Sequence, residues 1–308
     1  MTEPFTYSIN SVGEYSCNSS ISFIFSANQE ERSLSTLSEL QNQGISIKNI
    51  VLILYSDFLI PEKYKNIFLE ADVYRIHVDS NPMNFVLGIK SLPDSIWSNE
   101  LLLDISCVRI PELFTLFKYL KVQEVVHSLN VAYSIPYDYI FSGQPFTSYQ
   151  SYSGDLKMFE PLGFSGPGGS INVKDLYVFL GFEGALGLKV FENCQYTNLI
   201  LVNNLPAFSP KYKDISVINN YQLMQNHHRY LYASADNPFE VYNMLDSILG
   251  DNSTPVCIAP LSTKLVALGI CLYALEHEYI RIVYPVSNQY KEYTTLNTYQ
   301  TNIYSIVI

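Results

Sequence analysis

Two turns in this chain carry hydroxyl and cationic side chains in an arrangement that suits an anion. Ser262, Thr263 and Lys264 interrupt the segment PVCIAPLSTKLVALGICLYALEHEYIRIVY, residues 255–284, where the pattern predicts a short apolar strand, a polar turn, an apolar helix and a further apolar strand. An earlier stretch, LLLDISCVRIPELFTLFKYL at 101–120, repeats that layout as Asp104-x-Ser106-x-x-Arg109, with Arg109 in the place of Lys264. A cation at a helix N-terminus opposes the helix dipole, so helix propensity gives no reason for either residue. A bound anion, held by the cation and the first N–H groups of the helix, would supply one. A charge merely solvated at the surface is the competing reading, and the residues alone leave both open.

Two other features recur in both halves of the chain. Acidic residues follow the first strand of each, Glu30 or Glu31 in one and Glu183 in the other. A carboxylate there could accept hydrogen bonds from ribose hydroxyls, hold a metal, or simply complement a helix N-terminus. The turns Asp79-Ser80-Asn81-Pro82 and Ala235-Asp236-Asn237-Pro238 share an Asn-Pro step. Asparagine at the cap and proline at the first helical position account for it structurally, and Asn81 and Asn237 would still border any cleft at the strand ends. Asp104, Ser106 and Cys107 place a carboxylate beside two nucleophiles, but no histidine is spaced to complete a relay, and a buried Cys107 is the simpler reading. The five histidines are scattered, and His227-His228 lacks the helical spacing of a zinc site, so no metal is assigned.

The elements that must position these residues read as an α/β unit written twice. Residues 21–25 (ISFIF) and 47–55 (IKNIVLILY) are near-continuous apolar runs, the pattern of strands buried on both faces of a parallel sheet. Strands at 73–78, 101–105 and 124–133 follow, with helices between them. Residues 175–180, 198–203, 230–233 and the strand before Leu261 repeat the order, with Pro210-Lys211-Tyr212-Lys213 echoing the earlier Pro61 turn. Agreement in order and turn chemistry across several elements favours an internal duplication. The expected fold is therefore α/β: two tandem Rossmann-like three-layer units with mostly parallel sheets, at 1–140 and 171–308. A Ser/Gly/Pro/Tyr-rich connection at 141–170 joins them; its glycines lack the terminal Gly-Lys-Ser/Thr of a Walker phosphate loop. The last residues alternate polar with Tyr, Ile and Val and predict an antiparallel edge hairpin.

Composition narrows the functional classes. Of 308 residues, 48% are hydrophobic and 15% charged, which excludes a disordered chain. Acids outnumber bases 29 to 18, and a net charge of −11 disfavours nonspecific attraction to DNA or an anionic membrane. Twenty-five tyrosines leave room for stacking on a base or a protein partner. Five cysteines without CxxC spacing point to a reduced, cytoplasmic protein. The amino terminus does not read as a secretory signal, and the longest apolar run falls short of the ~20 residues that cross a bilayer.

The turn LSTKLVALGICLYAL resembles the Gly-Thr-Lys turn and apolar helix of the CRISPR-associated Rossmann fold sensor domains, which bind cyclic oligoadenylates. Thr263, Lys264 and the following helix carry the match, and Ser262 stands in place of the glycine. The resemblance implies phosphate contacts from Lys264 and Arg109 and a nucleotide or cyclic nucleotide ligand. It leads to the expectation of a soluble nucleotide-binding sensor or adaptor in bacterial antiviral defence, with a pseudo-symmetric cleft between its units. An enzyme acting on a nucleotide or ribosyl substrate through Glu183 or the Asp104–Ser106 pair, and a non-catalytic module with a protein partner, are the alternatives.

Overall fold

A computed structural model describes residues 8–17, 19–140, 151–167, 172–250, 254–287, 289–291 and 294–308. Part of the 141–170 connection, namely its first ten residues and the end of its glycine cluster, lies outside them. In chain order the elements are β1 (Ser8–Ser11), β2 (Ile21–Ser26), α1 (Ser35–Asn42), β3 (Ile47–Leu54), α2 (Lys65–Glu70), β4 (Asp72–His77), α3 (Pro82–Lys90), β5 (Glu100–Asp104), α4 (Ile110–Gln123) and β6 (Ser128–Tyr139). They continue with β7 (Leu156–Phe159), β8 (Asn172–Phe179), α5 (Gly184–Asn193), β9 (Gln195–Asn204), α6 (Pro210–Asn219), α7 (Tyr221–Met224), β10 (Arg229–Ala233) and α8 (Pro238–Leu249). The last are β11 (Val256–Pro260), α9 (Lys264–Glu276), β12 (Ile280–Ile282), β13 (Tyr284–Ser287) and β14 (Thr295–Val307).

Strands alternate with helices, and both main sheets are built on parallel pairs, as the apolar runs require. The first sheet runs β1-β14-β6-β5-β2-β3-β4, with β2 to β6 mutually parallel. The second runs β10-β9-β8-β11-β12 and is parallel throughout. Counting only parallel strands, each sheet has the order 3-2-1-4-5, the doubly wound Rossmann arrangement. The strand order reverses beside β2 in one sheet and beside β8 in the other.

The chain divides into two compact units: Met1–Arg109 with Tyr119–Ile140 and Glu292–Ile308, and Ile110–Lys118 with Phe141–Lys291. They are not contiguous halves, because the tail returns to the first sheet. There β14 pairs antiparallel with β6 over most of its length and with β1 on its other edge. It buries Thr301, Ile303, Tyr304 and Ile306, on both faces of the sheet, and the pairing covers the edge that β6 would otherwise expose. The edge hairpin expected of the tail is instead one long strand lying between β6 and β1; alternation describes a face and not a neighbour, so the sequence left its partners unspecified.

Each unit has its own core. In the first, Phe23, Phe25, Ile50 and Leu52 pack with Leu37 and Leu40 of α1 and Phe68 of α2. In the second, Leu176, Val178, Leu199 and Leu201 pack with Leu186 and Val190 of α5 and Leu223 of α7. Helix α9 is buried at every position from Leu265 to Leu275, which explains why its sequence has no polar stripe. Among the described residues no helix is long and apolar enough to cross a membrane.

Candidate functional site

In open α/β sheets the crevice for a ligand lies beyond the carboxyl ends of the strands, where the strand order reverses. The two units furnish that place differently.

In the first unit it is filled by a buried polar network. Glu30 follows β2 and is 5% exposed; Arg32 donates to it through Nε at 2.6 Å and is itself 9% exposed. The Thr294 N–H (3.0 Å), the Thr294 hydroxyl and the Thr295 hydroxyl (3.0 Å) also donate to Glu30, and the Cys107 thiol lies 3.8 Å away. Burial pushes the Glu30 carboxyl up, but Arg32 and the threonine hydroxyls outweigh it and hold the group below the usual carboxylate range. Glu30 is thereby engaged in fastening the tail to the sheet. Glu31 begins the short helical turn beside it.

Asp104 ends β5 and is 2% exposed. The Thr36 hydroxyl donates to it from α1, the Ser106 N–H donates at 2.7 Å, and the Ser106 hydroxyl bonds to it as well. Burial raises its pKa against those donors. Ser106 also accepts the Ser134 N–H at 2.7 Å, and Ser134 meets Thr301 of β14 at 3.0 Å. A hydroxyl so committed and wholly buried has no face to offer a substrate. Arg109 is the N-cap of α4; its N–H donates to the Tyr55 hydroxyl at 2.9 Å and its guanidinium lies 3.9 Å from the Tyr55 ring centre. Tyr55, just past β3, carries no sequence signal that marks it as a partner, since its contact with Arg109 joins distant segments, whereas Arg32 lies two residues from Glu30.

In the second unit four strand ends converge on the corresponding edge. Gly181, after β8, lies so close to the next loop that a Cβ there would sit 2.0 Å from the Leu261 carbonyl oxygen. A Cβ on Gly184 would meet the Asn219 carbonyl at 1.8 Å. The glycines flanking Phe182-Glu183 permit this approach, because backbone packed on backbone admits no side chain. Asn219 and Asn220 then clamp the loop, donating to the carbonyls of Phe182 (2.7 Å) and Gly181 (2.8 Å). Asn204, at the end of β9, donates to the Ser262 hydroxyl at 2.7 Å.

Thr263 caps α9. Its hydroxyl accepts the Val266 N–H at 3.2 Å and donates to the Ala235 carbonyl at 2.7 Å, tying the turn after β11 to the one after β10. Lys264 is the first residue of that helix, one position beyond the cap, whereas Arg109 occupies the cap itself. The two cations therefore differ by one residue in helix register. Ser262, Thr263 and Lys264 are all part-exposed. Glu183 occupies the N-cap position of α5 without a side-chain cap bond; it accepts the Ser151 hydroxyl at 2.6 Å and the Ser151 N–H at 3.1 Å, and burial pushes its carboxyl up against those bonds.

Asn81 accepts the Met83 N–H at 3.1 Å, and Asn237 accepts those of Phe239 (3.0 Å) and Glu240 (3.3 Å). Both do the work of a cap, with proline at the first helical position. The edge of the second sheet can thus present to an anion the positive end of the α9 dipole and the Lys264 ammonium, while the Ser262 and Thr263 hydroxyls hold the turn in shape.

No family model and no curated protein matches this sequence. Among solved structures the chain is similar to a universal stress protein from Archaeoglobus fulgidus DSM 4304, at 9% identity over 88% of this chain and 97% of that one, with a TM-score of 0.25.

Proposed function

We propose that the protein is a nucleotide-binding sensor or adaptor that takes a phosphate-bearing ligand at the carboxyl edge of the second sheet. The observation that carries this reading is the position of Lys264. It opens the helix that follows the strand just past the order reversal, where the helix dipole disfavours a cation and a phosphate would favour one. Ser262, Thr263, Asn237 and Glu183 border the same edge; Glu183 is placed for a ribose hydroxyl if Ser151 yields it. The burial of the Asp104–Ser106 pair argues against the enzymatic alternative at those two residues. In the first unit Glu30, Asn81, Asp104, Ser106 and Arg109 shape the sheet edge, and of these Arg109 is the one to test for a contribution to the ligand.

The experiment is thermal denaturation of the full chain with mononucleotides, cyclic dinucleotides and cyclic oligoadenylates, with inorganic phosphate as a control. Ligand at about 100 times its dissociation constant adds roughly 2.7 kcal/mol of stability. Lys264→Ala removes that shift without lowering the stability of the ligand-free protein, and Arg109→Ala reports whether both cations serve one ligand. A nucleotide-induced shift that survives Lys264→Ala unchanged would refute the assignment. A preference for cyclic oligoadenylates would bring in the defence role that the sequence resemblance implies; a protein partner recovered in place of any nucleotide would favour the interaction module.

A further inference from the structure

The second unit holds a cavity of about 620 Å³ at the amino edge of its sheet, where α9 ends and β12 begins. Its walls include Lys118 of α4, Ser165 of the loop after β7, and Glu276, His277, Glu278 and Tyr279 from the end of α9, all within that unit. The volume falls in the range of roughly 300–1,000 Å³ that small-molecule sites occupy. Because α9 runs from the carboxyl edge of the sheet back to the amino edge, the Lys264 turn and this cavity lie at its two ends.

Charge stands against the helix dipole at this end too. A helix C-terminus carries partial negative charge and favours cations, yet α9 closes on Glu276, Glu278 follows, and its last turn has no basic residue. Glu276 accepts the Tyr242 hydroxyl at 2.7 Å. His277 Nδ1 donates to the Tyr273 carbonyl at 2.8 Å, which leaves Nε2 of the neutral ring as an acceptor. The Tyr279 hydroxyl meets that of Tyr273 at 2.7 Å and donates to the Gly250 carbonyl at 3.1 Å, so Tyr279 offers the cavity its ring. This wall presents carboxylates and an imidazole acceptor beside an aromatic face.

The cation of the cavity comes from another helix. The Lys118 stem is seated against Gly163, where a Cβ would come within 2.8 Å of the Lys118 Cγ, and its ammonium lies 5.5 Å from the Phe164 ring centre. Among the described residues neither Lys118 nor Glu278 has an ion-pair partner. Opposite charges that line one cavity without pairing across it leave their complements to a guest that carries both. Among the described residues no three His, Cys, Asp or Glu side chains are grouped as a metal site needs, so an organic ammonium suits the acidic wall better than a metal ion. A nucleotide is poorly suited to it, since its phosphates would face Glu276 and Glu278.

We propose that this cavity binds a small zwitterion of the amino-acid class, a free amino acid or a short peptide. Its carboxylate pairs with Lys118, its ammonium with Glu278, Glu276 and the negative end of α9, and its side chain lies against Tyr279 and His277.

The test is isothermal titration of the full chain with the common amino acids and a set of dipeptides, followed by the best of them in N-acetylated and in C-amidated form. At least one binds, one molecule per chain, and blocking either terminus weakens it about tenfold or more, as the loss of a charged hydrogen bond requires. Lys118→Met weakens the unblocked probe to the same extent but leaves the C-amidated form as it is in wild type, and Glu278→Gln does the same with respect to the N-acetylated form. Lys264→Ala leaves this binding unchanged, which separates it from the nucleotide reading. The proposal is overturned if no probe binds at millimolar concentration, if the blocked forms bind as tightly as the parent, or if Lys118→Met and Glu278→Gln bind as wild type does.

Discussion

The buried Glu30–Arg32 pair permits a quantitative test of how the first unit closes its own crevice. Glu30→Gln keeps the side-chain length and one acceptor oxygen but removes the charge opposite Arg32. It also turns an amide N–H₂ either to Thr294 or to Thr295 and Arg32, which now donate to the two carboxylate oxygens. Removing one partner of a buried ion pair costs about 3–5 kcal/mol, because the remaining charge is left without compensation. Restoring neutrality with Glu30→Gln/Arg32→Leu removes that penalty, so the double variant should be at least about 1 kcal/mol more stable than the sum of the single effects predicts. The assay is urea unfolding followed by the fluorescence of Trp97, the single tryptophan, which belongs to the same unit.

The pH dependence adds a second constraint. The folded pKa of Glu30 lies below its unfolded value, so its stabilisation is complete above that unfolded value and is lost as pH falls through the folded pKa. The gap between wild type and Glu30→Gln is then flat from neutrality down to about 5 and narrows on further acidification, as expected for an unfolded glutamate titrating near 4.3. A loss below about 1 kcal/mol, the range of an exposed pair, or additive single and double variants would refute the account of a sealed, mutually dependent pair.

Two other substitutions probe the second unit. Gly181→Ala must displace either the β8 end or the Leu261 backbone, and a clash of that kind costs about 3 kcal/mol or more, read as a lower midpoint in thermal denaturation together with loss of nucleotide stabilisation. Thr263→Ala removes both the α9 cap and the tie to Ala235, for a loss of about 1–2 kcal/mol in urea unfolding, while Thr263→Ser, which keeps the hydroxyl, stays within about 0.5 kcal/mol of wild type.

What the sequence by itself determined is the part of the molecule written in local patterns. The apolar runs of β2, β3, β8 and β9 announce parallel strands, because a strand covered on both faces has no polar face to alternate with. The Asn81-Pro82 and Asn237-Pro238 steps announce helix starts through cap chemistry that needs only neighbouring residues. The repetition of those signals foretold two units of like kind, and the common strand order is its outcome.

Only the tertiary structure decided which polar residues remain accessible at the strand ends. Glu30 and Glu183 look alike in sequence, yet one is engaged by Thr294 and Thr295 from the far end of the chain and the other by Ser151. Arg109 and Lys264 look equivalent until helix register and the Tyr55 ring separate them. Side-chain periodicity fixes the face a residue occupies, but the partner on that face is set by which distant segments the sheet brings together, and such pairings leave no period in the chain.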